Sequence, residues 1–168
     1  MTAEGTPVIR VAGPADIPEI VRLTNLAYLV EAFCIRGDRT DAADVAYRMG
    51  TGTFLVAEEA GNPHLLGAVY LAFPREGHGY LGTLAVDPSA QGRGLSRLLV
   101  EAVEARCRDA GCAFLDITVV NLRRELFPFY LKMGFAASDI RPFPRPEKLI
   151  QPCHLVLMTK AMRPADQL

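Results

Sequence analysis

A short glycine-containing turn, Gln91-Gly92-Arg93-Gly94-Leu95-Ser96, joins a strand-like run to an amphipathic helical pattern. The strand-like run is Tyr80 to Val86, and the helical pattern begins at Leu95. Gly92 and Gly94 let the backbone turn sharply without side-chain clash, so consecutive N–H groups can point at one spot. The positive end of the following helix adds its field at the same spot. The sequence therefore predicts a strand-turn-helix unit that binds a phosphate group.

The spacing of the glycines separates this turn from two common nucleotide-binding motifs. A dinucleotide-binding fingerprint needs a third glycine where this sequence has Arg97. A P-loop needs a lysine and a serine or threonine after its glycines, and this run has no such pair. A turn that only redirects the chain is the simple alternative for an isolated Gly-x-Gly. The flanking residues decide between these interpretations.

The run from Leu84 to Ser96 resembles the acetyl-CoA-binding motif of the GCN5-related N-acetyltransferase (GNAT) superfamily. In that motif, Gln or Arg-x-x-Gly-x-Gly or Ala follows an apolar strand that ends in Asp-Pro. Gln91 and Gly94 match it, and Ser96 stands where the family usually has glycine or alanine. The resemblance continues through Asn121 and the segment from Phe129 to Phe135, and it covers roughly residues 8–160.

The resemblance implies that acetyl-CoA binds along this turn and the strand before it. Arg93 would point at a phosphate of the coenzyme, or would be a solvated residue of the turn. Asn121 would bond the pantetheine arm, or would cap the next helix, a position that asparagine favours. The residues implied in coenzyme binding are Leu84, Ala85, Val86, Gln91, Gly92, Arg93, Gly94, Leu95, Ser96 and Asn121.

Hydrophobic periodicity predicts a mixed α/β fold for one domain spanning residues 1–168. Because a strand-helix-strand unit surrounds the glycine turn, we expect one parallel pair of strands within an otherwise antiparallel meander. The resemblance implies a GNAT-like mixed, mostly antiparallel, twisted sheet of about six to seven strands flanked by about four helices. The expected strands are 8–11, 53–58, 65–73, 80–86, 114–119, 136–140 and 154–161, and the expected helices begin at about 14, 41, 95 and 125.

Acetyl transfer from a thioester to an amine needs a site for negative charge on the carbonyl oxygen and a proton for the departing thiolate. The resemblance implies that main-chain N–H groups of Leu84 to Val86 bind the oxygen and that Tyr130 is the acid. A thiol of pKa about 8.5 and a phenol of pKa about 10 are close enough for proton transfer. Tyr130 also lies on an apolar helical stripe with Leu126 and Met133, so a core role is the alternative.

The sequence names no clear general base. Positions comparable to the family's fourth-strand carboxylate or imidazole are Tyr80 and Gly82. Two alternatives remain for the base: a few titratable residues elsewhere in the chain, or a water chain that carries the proton to solvent. Those residues are Glu58, Glu59, His78, Asp116 and His154, and for Glu58 and Glu59 we expect solvated carboxylates. Candidates for the acceptor pocket are Phe33, Arg36, Phe73, Phe143, Glu31 and Glu58.

Composition limits the partners. The chain has 18 Lys plus Arg against 19 Asp plus Glu, so its balance favours neither nucleic acid nor an anionic membrane as a partner. The four cysteines lack C-x-x-C pairing and no histidine cluster has metal-ligand spacing, so we expect no metal and reduced, packing thiols. Residues 1–7 lack a charged leader with an apolar core, and no apolar run approaches the roughly 20 residues that span a bilayer. We therefore expect a cytoplasmic protein. The sequence leaves both a monomer and a homodimer open.

Three functional hypotheses follow. The first is an acetyl-CoA-dependent N-acetyltransferase that acts on a primary amine of a small molecule or peptide, by direct attack through a tetrahedral intermediate. The second is a protein acetyltransferase for lysine or an amino terminus, which needs an open groove instead of a pocket closed by the proline-rich loop 142–152. The third is a non-catalytic acyl-CoA-binding sensor, suggested by the missing base and by Ser96 in the motif.

Overall fold

Seven strands of this computed structural model, which describes residues 5–162, form one sheet. The strands are β1 (Val8–Val11), β2 (Thr53–Glu58), β3 (Gly67–Arg75), β4 (His78–Val86), β5 (Phe114–Val120), β6 (Ala136–Pro142) and β7 (His154–Ala161). Their order across the sheet is β1-β2-β3-β4-β5-β7-β6. Four α-helices occur within the described residues: α1 (Ile17–Ala27), α2 (Ala42–Thr51), α3 (Leu95–Asp109) and α4 (Leu126–Lys132).

The predicted architecture is confirmed. The pairs β1–β2, β2–β3 and β3–β4 are antiparallel, as expected for a meander. The pair β4–β5 is parallel, as the strand-helix-strand pattern predicted. Every predicted strand and helix is present, with ends shifted by a few residues at most.

The final strand inserts between two earlier ones. β7 pairs antiparallel with β5 on one side and with β6 on the other. This leaves β6 as an edge strand whose residues are all exposed. The inserted strand extends the sheet beyond β5, the strand that forms one wall of the candidate site.

Helices cover both faces of the middle of the sheet. In β2, Leu55 and Ala57 belong to the apolar cluster under α3, whereas Phe54 and Val56 belong to the cluster under α1 and α2. Because side chains alternate between the two faces of a strand, this strand is buried on both sides. None of the helices in residues 5–162 is long and apolar enough to cross a membrane.

Candidate active site

The candidate site lies where β4 and β5 separate. Their parallel ladder ends at the pair Leu81 and Ile117, although β4 continues to Val86 and β5 to Val120. β5 therefore provides no ladder partner for the main chain of β4 beyond Leu81, and main-chain groups on that side other than the Leu84 carbonyl, which Tyr28 binds, can pair with a ligand. This segment includes Leu84 to Val86, whose main-chain N–H groups the family resemblance predicts to bind the carbonyl oxygen of the thioester.

The glycine turn lies at the end of this gap and opens the 15-residue helix α3. Gly92 and Gly94 have φ angles of 81° and 74°, in the left-handed region that glycine adopts without strain. A Cβ atom at either position would meet no protein atom within 4 Å, so the space beside the turn is open. Open space, left-handed glycines and a helix N-terminus together fit the diphosphate of a coenzyme.

Ion pairs support the turn on the side of α1 and β2. Asp87 accepts hydrogen bonds from the backbone N–H and the hydroxyl of Ser89, at 2.9 and 2.8 Å, and lies 3.4 Å from the Arg22 guanidinium. Burial opposes ionisation of Asp87, but these hydrogen bonds outweigh it and lower the pKa of the carboxyl. Arg93 pairs with Glu59 at 2.9 Å on the side of β2.

A cavity of about 400 Å³ follows the gap between β4 and β5. It is lined by five of the predicted site residues, Leu84, Val86, Gln91, Ser96 and Tyr130. The cavity thus connects the helix N-terminus with the candidate acid. Its remaining lining residues include Tyr28, Glu31, Arg39, Thr83, Thr118, Val119, Val120, Arg123, Glu125 and Phe129.

Tyr130 is held by its aromatic neighbours. Its ring contacts Phe129 and Phe135 edge to face, at centroid distances of 5.0 and 5.7 Å. Burial is the main cause that raises the pKa of its phenol, the nearby Tyr28 phenol adds to the increase, and Arg123 opposes it. The phenol therefore keeps its proton at neutral pH. The two interpretations of Tyr130 are compatible, because the ring packs in the core while the residue lines the cavity.

A buried carboxylate lies between two guanidinium groups in the wall of the cavity. Glu31 is 5% exposed and lies 3.2 Å from both Arg39 and Arg123. Arg39 also covers the ring of Tyr28, with its guanidinium carbon 4.6 Å from the ring centroid. Arg123 in turn contacts Glu125 at 2.5 Å. This network, here called the Glu31 network, links the end of α1 to the loop after β5.

Two side chains point elsewhere than the sequence suggested. The Arg93 guanidinium pairs with Glu59 at 2.9 Å, so this side chain is not simply a solvated residue of the turn, and its contact with a phosphate stays a prediction. The side-chain oxygen of Asn121 accepts the N–H of His154 at 2.9 Å. Asn121 therefore extends the β5–β7 pairing, whereas Glu125 occupies the position before α4 that Asn121 was expected to cap.

The remaining predicted residues of the site pack in the core or form the turn. Ala85 packs in the cluster under α1 and α2, and Leu95 packs under α3. Gly92 and Gly94 form the turn itself. The packing of the Ala85 and Leu95 side chains positions the strand and the helix on either side of the turn.

The five candidate bases lie outside the cavity lining. His78 and Asp116 contact each other at 2.8 Å in the paired part of β4 and β5. Glu58 pairs with Arg10, and Glu59 with Arg93. The Glu58 side chain is 41% exposed, as expected for a solvated carboxylate, whereas Glu59 is 12% exposed and is not solvated as expected. Of the suggested acceptor-pocket residues, Glu31 lines the cavity, whereas Phe73 lines a separate groove beside α3.

Three residues of the cavity wall, Tyr28, Arg39 and Arg123, were not predicted from the sequence. Tyr28 fitted the apolar stripe of α1, and its position at the very end of that helix was the only available signal. The two arginines come from separate loops, at positions 39 and 123, that meet only in the folded chain.

Comparison with known proteins agrees with this geometry. Residues 19–135 match the model of the acetyltransferase (GNAT) family. A mycothiol acetyltransferase from Nocardia farcinica is 30% identical in a 140-residue alignment that covers 77% of this chain and 45% of that protein. The chain thus spans less than half the length of that relative.

Solved structures share the fold. The ribosomal-protein-S18-alanine N-acetyltransferase from Escherichia coli superposes with a TM-score of 0.76 at 18% identity, covering 95% of this chain and 96% of that one. A GNAT family acetyltransferase from Elizabethkingia anophelis with acetyl-CoA bound gives 0.68 at 17% identity, covering 92% and 97%. Because the family model matches residues 19–135, which are most of this chain, the chain belongs to the GNAT family of acetyltransferases, whose acetyl donor is acetyl-CoA.

Proposed function

We propose that this protein transfers the acetyl group of acetyl-CoA to a primary amine of a small molecule or short peptide. The observation that carries the proposal is the gap between β4 and β5, with the α3 N-terminus at its end and Tyr130 in its wall. A thioester arm in this gap would pair with β4 while its diphosphate contacts the glycine turn. Both ends of one ligand are therefore matched by separate parts of the chain.

The proposed reaction is a direct attack by the amine. The amine nitrogen adds to the thioester carbonyl carbon, and the resulting tetrahedral intermediate collapses as the C–S bond breaks. Main-chain N–H groups between Leu84 and Val86 would stabilise the negative oxygen. Tyr130 would donate its hydroxyl proton to the departing thiolate. The attacking amine would lose its proton to water, and the Tyr130 phenolate would regain a proton from water, so that the enzyme returns to its starting state.

The loops around the cavity favour a small acceptor over a folded protein segment. Segment 33–36 is bonded to segment 148–151 through Arg36 N to Lys148 O at 2.8 Å and Ile150 N to Cys34 O at 2.9 Å. The Gln151 side chain adds a bond of 2.9 Å to the Phe33 carbonyl. The proline-rich loop therefore lies against the loop after α1, which supports a pocket closed on this side.

A thiol-release assay with acetyl-CoA and a panel of amines tests the function. The panel should hold small primary amines, amines related to mycothiol because of the Nocardia relative, and peptides with amino-terminal alanine because of the Escherichia coli structure. Turnover of small amines is the expected result. Turnover of long peptides alone would identify a protein acetyltransferase, and tight acetyl-CoA binding without turnover would identify a sensor.

A further inference from the structure

Strand β4 contains a β-bulge at the candidate site. Ala68 of β3 pairs with Ala85 and Tyr70 pairs with Gly82, so Val69 faces both Thr83 and Leu84. A bulge of this kind bends the strand and redirects its groups. It lies directly after the last residue pair shared with β5.

The bulge holds a strained residue. Thr83 has a φ of 49° and, within residues 5–162, is the only residue other than glycine with a positive φ. A β-branched side chain in this region costs on the order of 1–3 kcal/mol, and such residues persist only where the surroundings fix them. The neighbours of Thr83 and Leu84 must therefore hold this conformation.

Two side chains from the α1 and α2 face hold the bulge. The hydroxyl of Tyr28 donates to the carbonyl oxygen of Leu84 at 3.2 Å. The guanidinium of Arg48 donates to the hydroxyl of Thr83 at 3.4 Å. Of the two, Tyr28 is the one that binds the main chain of the bulge and also lines the cavity.

Tyr28 is itself fixed on its other side by the Glu31 network. Arg39 lies over its ring, and Glu31 joins Arg39 to Arg123. Arg123 belongs to the loop after β5, so the network reaches from β4 to the far side of the gap. The carbonyl of Leu84 is thereby tied to both walls of the cavity.

We infer that Tyr28 is a positioning residue: by holding the Leu84 carbonyl, it orients the bulged main chain of β4 so that its N–H groups polarise the thioester carbonyl. This inference rests on the proposed function. A hydrogen bond to the carbonyl side of a peptide group restrains rotation of that group and thus the direction of the N–H that follows. Preorganised donors of this kind stabilise developing charge without reorganising during the reaction.

The test uses Tyr28→Phe, which removes the hydroxyl and leaves the ring beneath Arg39. Acetyl-CoA labelled with ¹³C at the acetyl carbonyl reports polarisation directly by NMR, without any acceptor. In wild type, the carbonyl resonance should move downfield on binding. In Tyr28→Phe, it should return most of the way to the free position, while the Kd for unacetylated coenzyme A stays within about twofold of wild type, since the diphosphate contacts are untouched.

Turnover provides the second measurement. With an acceptor found by the thiol-release panel, kcat should fall about tenfold in Tyr28→Phe, the value of one hydrogen bond of roughly 1.4 kcal/mol, with KM for acetyl-CoA nearly unchanged. The matched control is Tyr70→Phe. The Tyr70 hydroxyl also has a hydrogen-bond partner, Thr51 at 2.8 Å, but neither residue lines the cavity. This control should keep the wild-type resonance and kcat.

The outcomes separate this inference from the proposed function. If wild type binds acetyl-CoA with a shifted resonance that Tyr28→Phe reverses but acetylates no amine, the positioning role holds and the transferase proposal fails. If the resonance and kcat of Tyr28→Phe equal those of wild type, the positioning role is wrong. It is also wrong if affinities for coenzyme A and acetyl-CoA fall together with thermal stability, because that pattern indicates a structural role alone.

Discussion

The two halves of β4 perform different tasks within one strand. From His78 to Leu81 it pairs with β5 in register and packs against α3. From Gly82 to Val86 it leaves β5, bulges and borders the cavity. In the first half, side-chain packing is the main role of the strand. In the second half, the main-chain groups that border the cavity are the ones proposed to bind a ligand. In the proposed function, the ligand binds where the regular ladder stops, and this arrangement includes the strained residue Thr83.

Close packing is most evident in the paired half. A Cβ atom at Gly79 would lie 2.5 Å from the Cys107 sulfur of α3. By contrast, a Cβ atom at Gly94 would meet no protein atom within 4 Å. The same residue type therefore serves helix packing in one place and ligand access in the other. A substitution at Gly79 should therefore change stability, whereas one at Gly94 should change coenzyme binding.

The largest expected effect is on the reaction in the cavity that the second half of β4 borders, where Tyr130 of α4 also lies. Tyr130→Phe should lower kcat by about 100-fold or more, because general acid catalysis contributes at least that much, and should leave KM for acetyl-CoA unchanged. Steady-state thiol release measures both constants. Since burial keeps the Tyr130 phenol protonated, wild-type kcat should not decline through phenol ionisation below about pH 10. An unchanged kcat at saturating substrate would rule out the acid role and leave a packing role.

The next effect concerns the glycine turn. Gly94→Val should weaken acetyl-CoA binding by about 100-fold, because losing two charge-assisted hydrogen bonds costs about 3 kcal/mol. Calorimetric titration gives the Kd. The matched control is Gly61→Val, since Gly61 has a φ of 81° and equally open surroundings in the β2–β3 loop. Both variants carry similar backbone strain, so equal losses of coenzyme affinity would contradict the assignment of the turn.

A smaller effect is expected from overpacking the paired half. Gly79→Ala should lower the free energy of unfolding by about 2 kcal/mol through its clash with Cys107, yet keep the wild-type Kd for acetyl-CoA. Denaturant unfolding and calorimetry measure the two quantities. Adding Cys107→Ala should restore part of the lost stability by removing the sulfur. If the double variant is less stable than the sum of the single changes predicts, the clash is not the cause.

The smallest effect is a dependence of stability on pH. Burial raises the pKa of the Cys107 thiol to about 12, above its unfolded value of about 8.5. The folded state thus holds this proton more tightly, so its stabilisation is complete below about pH 8.5 and is lost as the pH rises toward 12. Wild type should lose about 1 kcal/mol more than Cys107→Ser between pH 8 and 9.5. Parallel slopes of unfolding free energy against pH in the two proteins would exclude this thiol as the source.

The sequence predicted what local patterns determine. A β-like run of residues placed β2 correctly between Thr53 and Glu58, and helical periodicity placed the start of α3 at Leu95. The parallel β4–β5 pair followed from chain connectivity. The insertion of β7 between β5 and β6 depends on contacts distant in sequence, which no local pattern encodes.

The candidate site divides in the same way. The left-handed turn at Gly92 and Gly94 follows from residue type, and it was found from sequence. The directions of the Arg93 and Asn121 side chains depend on partners far along the chain, Glu59 and His154, and were not found. Long polar side chains have several rotamers and take the one that a folded neighbour stabilises.

The ion pairs behind the glycine turn have a consequence for the speed of ligand capture. Arg93 with Glu59 and Arg22 with Asp87 brace the loop from two sides. A loop already braced surrenders little conformational entropy when a ligand arrives, so more of the contact energy appears as affinity. We therefore expect the coenzyme to bind without a folding step of the loop, so that diffusional encounter limits the association rate.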